Sequence, residues 1–380
     1  MDKVVIVMPA WNEAENIKEM VNVLVNTEFP KIDAEMHLLI VDNHSKDGTD
    51  KIVEEASKKY NNVHILQQDK PGLGWAYVRG MQYAINTLKA DAVMEMDADF
   101  QHPPRFIKPM VDAYLAGAEY CIGSRYIKGG SVPKEWAASR KAVSLFGNLF
   151  IRTVLVNFKI HDLTTGFRLT KVDGVLNKID LEKLHDLNRF AYKVDLLYQS
   201  LKNSQKTVEV PLEFASRTKD QSKFNWKEMV ATFKLAIILG IKDKQRFIKF
   251  GVVGFVGYLI NAITLKILTN MDSPSAVAWA VPVELSIISN FTLNNIWTFK
   301  EKKISGIVPI IKKFIAFNST SLGALLIQTV TGIISDRLFG TGARQLTLPF
   351  IIVFLVLPFN YLMYNLVIWK TWKLPWSKKN

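Results

Sequence analysis

Short apolar runs and segments of helical periodicity alternate through the first 225 residues. Four apolar runs predict buried strands; they lie at 3–8, 37–41, 63–66 and 92–94. Three segments between them carry apolar residues at helical spacing; they lie at 14–26, 50–60 and 74–88. Strands that alternate with helices predict an α/β fold, with a mostly parallel, Rossmann-like sheet and flanking helices.

Two later segments, 136–158 and 224–241, combine apolar residues at helical spacing with Lys and Arg at other positions. A helix that packs on a soluble core has the same spacing. Basic helices with aromatic residues that lie beside membrane spans are instead typical of the lipid interface. We therefore expect amphipathic interfacial helices, with core packing as the alternative.

Four apolar stretches follow, each close to the length of about 20 residues that crosses a bilayer. They lie at 248–269, 276–298, 313–335 and 347–369. Lys and Arg cluster before the first, between the second and third, and after the fourth. Because positive charge marks the cytoplasmic side, we expect a multi-pass protein of the cell membrane, with the soluble part and both termini in the cytoplasm.

Composition narrows the choice of partners. The net charge of +13 at pH 7 indicates an anionic partner, either nucleic acid or anionic lipid. The basic residues flank apolar segments, so we expect membrane lipids and no nucleic acid. Cys121 is the single cysteine, which excludes an intramolecular disulfide.

Polar residues follow three of the predicted strands where each strand ends. Asp97 and Asp99 come after the run 92–94, and their side chains point the same way because side chains alternate along extended chain. Hard cations such as Mg²⁺ take oxygen ligands and often share them with phosphate, so the pair predicts a metal–diphosphate site; two solvated loop acids are the alternative. Pro9 and Asp42 follow other strands, which predicts one composite site at the carboxyl edge of the sheet.

An ordered set of motifs over residues 3–224 resembles the family 2 glycosyltransferases, and most of all their polyprenyl (dolichyl) phosphate mannose synthase branch. The motifs are Pro9-Ala10-Trp11-Asn12-Glu13, Val41-Asp42-Asn43-His44-Ser45-Lys46-Asp47-Gly48-Thr49, Gly72-Leu73-Gly74-Trp75-Ala76, Asp97 to Gln101, Gly123-Ser124-Arg125-Tyr126, Thr165-Gly166-Phe167-Arg168, and Val208-Glu209-Val210-Pro211 with Arg217 and Ser222-Lys223. The chain departs from the family at Asn43, where a second Asp is usual, and at Asp220, where Gly is usual.

The membrane part resembles the GtrA-like four-span family, through Phe247 to Gly254 and Asn290 to Phe299. The two resemblances divide the chain into three parts. Residues 1–224 are expected to form a cytoplasmic catalytic domain of GT-A type that includes the amphipathic helix at 136–158. Residues 225–245 are expected to form an interfacial helix or linker, and 246–380 an all-α membrane domain of four spans.

The resemblance also implies the binding residues. Those for the nucleotide sugar are Pro9, Trp11, Glu13, Val41, Asp42, Asp97, Ala98, Asp99, Gln101, Val210, Arg217 and Lys223. Asp97, Asp99 and Gln101 are the implied ligands of Mg²⁺ or Mn²⁺. For two of these residues a local structural role is the alternative to nucleotide binding. Glu13 would complement a helix dipole, and Asp42 would form a turn.

Arg125 and Arg140 are the candidates for the acceptor phosphate, because a guanidinium holds phosphate bidentately and stays charged. With Asp99 they form the candidate catalytic set. A phosphate monoester is mostly dianionic at neutral pH and needs no general base. That agrees with the ambiguous base candidates Asp162, Asp186 and Asp195. For Arg140 the alternative is a snorkelling surface residue; for Arg168 and Arg189, salt bridges are favoured over an acceptor-site role.

The resemblance implies a metal-dependent, inverting mannosyltransferase. GDP-mannose and dolichyl (polyprenyl) phosphate would give dolichyl phosphate β-D-mannose and GDP. A glucosyl or other glycosyl transfer to a polyprenyl phosphate is the alternative reaction. A flippase or transporter of lipid-linked sugars, with a regulatory soluble domain, is the alternative of another class.

Overall fold

The computed structural model describes residues 1–216, 226–339 and 350–372. The chain divides into two compact units, Met1–Gly240 and Ile241–Asn380. The first unit contains all seven strands of the described sheet, and the second is helical.

The first unit is built on a sheet of order β3-β2-β1-β4-β6-β5-β7. Its strands are β1 Lys3–Ala10, β2 Glu35–Asp42, β3 Val63–Gln67, β4 Ala92–Glu95, β5 Tyr120–Ser124, β6 Arg168–Lys171 and β7 Thr207–Pro211. Every pairing is parallel except those of β6, which runs antiparallel to β4 and β5. The mostly parallel α/β sheet expected from the alternating runs is confirmed.

Helices cover both faces of this sheet. They are α1 Ala14–Val23, α2 Thr49–Lys59, α3 Leu73–Asn86, α4 Ile107–Leu115, α5 Ala138–Leu155 and α6 Tyr192–Asn203. Alternate residues of β1 enter opposite cores: Ile6 packs with α1, α2 and α4, and Val7 packs with α3. Burial on both faces explains why the strand sequences are continuously apolar.

A third core joins α5 and α6 to β5 and to the first turns of α7, which runs from Trp226 to Asn270. Ile151 is buried there, whereas Phe146 and Leu149 on α5 are 65% and 45% exposed. Trp226 is 66% exposed. On α5, Ile151 therefore packs on the core, while Phe146 and Leu149 form an exposed apolar surface of the kind that marks an interaction site; the interfacial role of this helix stays a prediction.

Gly80 sets how closely α3 approaches the sheet. A Cβ atom at this position would overlap the Val7 side chain and lie 2.8 Å from Val41 Cγ2. We expect Gly80→Ala to lower the free energy of unfolding by about 1–3 kcal/mol, because the core must shift to admit the methyl group. The thermal midpoint of the detergent-solubilised chain measures this. Gly254→Ala is the matched control, since nothing lies within 4 Å of a Cβ there; equal midpoints for the two variants would contradict the expectation.

The second unit contains the rest of α7 and three further helices. These are α8 Ser275–Leu293, α9 Ile307–Phe339 and α10 Leu357–Met363, the last flanked by π-helical turns at Ile352–Val356 and Tyr364–Ile368. Lys244–Leu268 is long and apolar enough to cross a membrane, with mean hydropathy 1.8. The two helices expected at 224–241 and 248–269 are one helix, and the charged segment between them has no Pro to break it.

Aromatic side chains form the core of the second unit around one buried amide. Asn295 Oδ1 accepts hydrogen bonds from Ile304 N at 2.7 Å and from Trp369 Nε1 at 3.2 Å. Trp369 stacks on Phe299, with 4.3 Å between ring centroids. A satisfied buried amide fixes the register of the segments it joins, so Asn295 holds the helices of this unit together.

Candidate active site

The carboxyl ends of four strands meet at one edge of the sheet. Ala10 pairs with Asp42, and Val7 pairs with Glu95, so β1, β2 and β4 end side by side. Because β6 lies antiparallel between β4 and β5, Ser124 at the end of β5 reaches the same edge. The topology therefore gathers the predicted loops at this edge, where ligands bind in open α/β sheets.

Side chains tie the loops after β1 and β2 together. Asn12 N donates to Ser45 Oγ at 2.9 Å, and Ala14 N donates to Asp47 Oδ2 at 2.9 Å. Asp47 Oδ1 also accepts from Thr49 Oγ1 at 2.7 Å. Burial alone would raise the pKa of Asp47, but these hydrogen bonds hold that pKa below its ordinary value. Sequence reasoning had assigned no role to Asp47, although the turn-forming Asp-Gly-Thr pattern signals it.

Several predicted nucleotide-sugar residues lie on these loops, and two of them also have local partners. Asp42 is fully buried, and its carboxylate accepts from Ser45 N at 3.0 Å. Glu13 precedes α1 and accepts from Asn16 Nδ2 at 2.8 Å. Trp11 is 55% exposed. Asp42 thus makes the turn contact that was its local alternative, and it remains at the predicted edge.

The remaining nucleotide-sugar candidates divide by position. Pro9, Val41 and Val210 lie near the ends of β1, β2 and β7, and the side chains of Val41 and Val210 are buried. Arg217 and Lys223, and the unusual Asp220, lie outside the described residues. The segment that precedes Arg217 contacts the loop Asp97 to Gln101, because Ala215 N donates to Gln101 O at 3.0 Å.

The loop Asp97 to Gln101, hereafter the D-x-D loop, is held in a defined shape. Asp99 Oδ1 accepts from Gln101 N at 3.1 Å, and Phe100 has a φ of 59°. Ala98 and Asp99 are both buried, at 3% and 5% exposed. Asp97 Oδ1 accepts from Tyr77 Oη at 2.8 Å. Side chains from α3 and from the loop itself therefore fix the position of both carboxylates.

The donor chemistry of this loop fits a divalent cation that it shares with a ligand. Across 1–216, 226–339 and 350–372, no group of three or more His, Cys, Asp or Glu side chains comes together to hold a metal. The loop offers two carboxylates and the amide oxygen of Gln101. Mg²⁺ is usually bound by one or two carboxylates plus phosphate oxygens, and this incomplete set matches that pattern.

A buried polar cluster lies beneath the D-x-D loop, and sequence reasoning had assigned it no role as a group. Its members are Glu95, Tyr120, Arg168, Tyr192 and Lys193. Burial raises the pKa of Glu95, and the nearby Arg168 and Lys193 oppose that rise. Arg168 NH1 donates to Lys193 O at 2.7 Å. Arg168 belongs to the Thr165-Gly166-Phe167-Arg168 motif, whereas Glu95 and Lys193 lie in an apolar strand and an ordinary helix start, which give no signal of a site.

His102 is a neutral acceptor within the site. It is 1% exposed, and its Nδ1 lies 3.2 Å from Asp97 N, which donates to it. Its ring stacks on Phe167, with 5.1 Å between centroids. Burial lowers the pKa of His102 to about 4. The imidazole is therefore uncharged near neutral pH and supports the loop rather than supplying a proton.

Arg125 forms a buried ion pair with Asp162. Its Nε and NH2 atoms donate to the two carboxylate oxygens at 2.7 and 2.8 Å, and NH2 also donates to Thr164 Oγ1 at 2.6 Å. Burial disfavours the charge of Asp162, yet Arg125 holds the pKa of that carboxyl below its ordinary value. Asp162, left open as a base candidate, is thus a paired carboxylate that orients Arg125.

Arg125 and Arg140 line one cavity of about 200 Å³. Arg140 lies in the first turn of α5, with its Cζ 3.9 Å from the centroid of the Trp136 ring. The cavity is lined by both cationic and apolar side chains. Its cationic lining residues are Arg125, Arg140, Arg168 and Lys193, and its apolar ones include Val143, Ile151, Leu163, Met229 and Phe233. Such a lining suits an anionic head group that carries an apolar chain.

Comparison with known proteins identifies both parts of the chain. Residues 5–176 match Glycosyl transferase family 2, and residues 249–369 match the GtrA/DPMS transmembrane domain. The chain is 30% identical over 380 residues to the dolichol-phosphate mannosyltransferase of Pyrococcus furiosus, covering 97% of this chain and 100% of that protein.

Two bacterial relatives match a shorter part of the chain. The polyprenol monophosphomannose synthase of Mycolicibacterium smegmatis is 34% identical over 249 residues, which are 64% of this chain and 90% of that protein. The undecaprenyl-phosphate mannosyltransferase of Micrococcus luteus is 30% identical over 224 residues, 59% of this chain and 88% of that protein. The resemblance stated from the motifs is confirmed: this chain belongs to glycosyl transferase family 2, and a GtrA/DPMS transmembrane domain follows its catalytic domain.

Proposed function

We propose that this membrane-associated enzyme transfers mannose from GDP-mannose to a polyprenyl (dolichyl) phosphate, with inversion at the anomeric carbon. The products are dolichyl phosphate β-D-mannose and GDP. One observation carries the proposal: a cavity lined by cationic and apolar side chains adjoins the loop that carries Asp97 and Asp99, through Lys193. The names of the relatives, which are polyprenyl-phosphate mannosyltransferases, support the same choice of sugar and acceptor.

The acceptor phosphate is assigned to the cationic residues that line the cavity. Arg140 lies at the start of α5, whose exposed apolar side chains Phe146 and Leu149 suit the lipid interface. A head group that enters along α5 would meet Arg140 first and Arg125 next. Charge-assisted hydrogen bonds from guanidinium groups would hold two or more phosphate oxygens.

The chemistry balances without a protein base. A phosphate oxygen attacks the anomeric carbon, the new bond forms on the face opposite the diphosphate, and the bond from that carbon to the diphosphate oxygen breaks. GDP leaves with the electron pair, and the α-linked donor gives a β-linked product. The phosphate is already ionised near neutral pH, so no proton has to be removed before attack. His102, with its pKa of about 4, and the paired Asp162 agree with a site that lacks a general base.

Asp99 and Gln101 would hold the divalent cation, Mg²⁺ or Mn²⁺, together with oxygens of the diphosphate. When bound, the cation neutralises charge on the departing diphosphate. Asp97 lies 3.6 Å from Lys193 Nζ and accepts from Tyr77 Oη, so its carboxylate is already engaged on the protein side. We assign Asp97 to the edge of this metal site, where it orders the loop.

The second unit would place the reaction at a membrane. The GtrA/DPMS match over residues 249–369 and the apolar helix Lys244–Leu268 support this placement. In the proposed arrangement the chain crosses the bilayer four times, and the catalytic domain and both termini face the cytoplasm, where nucleotide sugars are supplied. Protease protection of tagged termini in sealed vesicles tests the orientation.

The reaction itself is tested with the purified full chain in detergent. We expect radiolabelled mannose to pass from GDP-mannose to dolichyl phosphate, with little transfer from UDP-glucose. Chelation by EDTA should stop the reaction, and Mg²⁺ or Mn²⁺ should restore it. Faster consumption of UDP-glucose than of GDP-mannose would show that glucose is the transferred sugar. Full activity in EDTA would show that the reaction needs no divalent metal.

A further inference from the structure

The ammonium group of Lys193 is buried beside the D-x-D loop without a hydrogen-bond partner. Lys193 is the second residue of α6 and is 1% exposed. Its Nζ lies 3.6 Å from Asp97 Oδ1, beyond hydrogen-bond distance, and donates to no acceptor elsewhere in the part of the chain that the structure describes. An ammonium group has three donors, and leaving them unused in a buried place is costly. The arrangement points to a ligand that supplies the missing acceptors.

Neighbouring residues hold Lys193 Nζ at a position where it has no hydrogen-bond acceptor. Its Nζ lies 5.0 Å from the centroid of the Tyr77 ring and 4.6 Å from that of Phe190. Gly166 makes room for it, because a Cβ atom on Gly166 would overlap Nζ. Aromatic faces attract a cation but offer no hydrogen-bond acceptors of the usual strength. The position is therefore shaped for the ammonium group, and its donors stay available.

Lys193 also lines the cavity that contains Arg125, Arg140 and Arg168. The guanidinium of Arg125 already donates to Asp162 and Thr164. Arg168 is fully buried, and its Nε and NH2 atoms have no hydrogen-bond partner among the described residues. Glu95 lies near both cations, and neither of its carboxylate oxygens has a hydrogen-bond partner among the described residues, so it balances part of their charge. The donors of Lys193 Nζ remain unused beside the cavity, and an oxygen-rich anion is the ligand that would satisfy them.

We infer that Lys193 Nζ binds an oxygen of the acceptor phosphate and holds it beside the D-x-D loop, with Asp97 fixing the ammonium group from the other side. The inference rests on the proposed function for the identity of the acceptor. Two anions, the acceptor phosphate and the diphosphate of the donor, must come within bonding distance. A cation between the cavity and Asp97 reduces their repulsion at that place.

Binding of farnesyl phosphate to the full chain in detergent, with no sugar donor present, tests this role. We expect Lys193→Met, which keeps the side-chain volume, to weaken that binding by about tenfold or more, since one charge-assisted hydrogen bond is lost. Binding of GDP-mannose should change little. Lys202→Met on the exposed side of α6 is the matched control and should bind farnesyl phosphate as the wild type does.

Gly166→Ala provides a second variant that keeps every charge. Its methyl group would displace only the flexible tip of Lys193, so the thermal midpoint should stay near that of the wild type while farnesyl phosphate binding weakens. If Lys193→Met unfolds the chain, binding of farnesyl phosphate to Gly166→Ala tests the role of Lys193 instead. Wild-type affinity in either folded variant, or equal loss of donor and acceptor binding in Gly166→Ala, would overturn the inference in favour of a structural lysine.

Two further ligands separate the sources of the binding energy. Farnesol tests the isoprenoid part without the phosphate, and inorganic phosphate tests the anion without the lipid. We expect both to bind more weakly than farnesyl phosphate. Binding of farnesol should be unaffected by Lys193→Met. If the wild type binds farnesyl phosphate no better than farnesol, the proposed acceptor and the role of Lys193 both fail. If GDP-mannose is not used but the Lys193 effect persists, only the proposed donor fails.

Discussion

Asp99→Asn is expected to reduce the turnover of the purified enzyme by about a thousandfold, because a bound cation contributes several kcal/mol to stabilising the departing charge. Asn keeps an Oδ1 atom that can accept from Gln101 N, the hydrogen bond that Asp99 makes within its own loop. The loop should therefore keep its shape while losing the carboxylate charge that a hard cation prefers. The initial rate of mannosyl transfer at saturating substrates measures the effect.

Asp112→Asn is the matched control for Asp99→Asn. Asp112 lies on α4 and pairs with Lys108 at 2.7 Å on the surface, where such pairs contribute little. We expect its rate and its thermal midpoint to match those of the wild type. A rate for Asp99→Asn within a few-fold of the wild-type rate would remove Asp99 from the site. Turnover that falls in parallel with the thermal midpoint would indicate misfolding instead.

Arg125→Met is expected to destabilise the first unit by about 3–5 kcal/mol, because it leaves the carboxylate of Asp162 buried without its partner. Asp162 is fully buried, and three hydrogen bonds from Arg125, including one from its main-chain N at 3.1 Å, end on its oxygens. Denaturant or thermal unfolding in detergent measures the loss. Arg105→Met is the control, since Arg105 and Glu213 form an ion pair at 2.7 Å with both side chains more than half exposed; we expect a loss of at most about 1 kcal/mol there.

The double variant Arg125→Met, Asp162→Asn separates stability from catalysis. Neutralising the orphaned carboxylate should recover part of the lost stability, since neutral replacements of buried ion pairs are often tolerated. The double variant should nevertheless transfer mannose poorly, because the cavity has lost one of its cations. Equal stability of the single and double variants would show that the buried pair does not carry the expected energy, and wild-type turnover of the double variant would exclude Arg125 from the acceptor site.

Much of the fold followed from local patterns. The continuous apolar strands predicted burial on both faces, and β1 indeed contributes Ile6 to one core and Val7 to the other. Strands that alternate with helices predicted the parallel sheet, although the antiparallel β6 has no signal in its short sequence. The charged stretch before residue 248 predicts a boundary between two helices, but α7 runs through it, because charged residues do not break a helix and no Pro lies there.

Local sequence patterns were enough to predict β1 to β4 of the sheet, the edge at which Pro9, Asp42 and Asp97 lie, and the apolar segments of the second unit, because strand and helix periods are local properties. Only the tertiary structure decided what each charge does. It joined Arg125 to Asp162, 37 residues away, and it placed Lys193 between Asp97 and the cavity. The partner, burial and electrostatic state of a charged group depend on neighbours brought together by packing, and spacing along the chain does not record them.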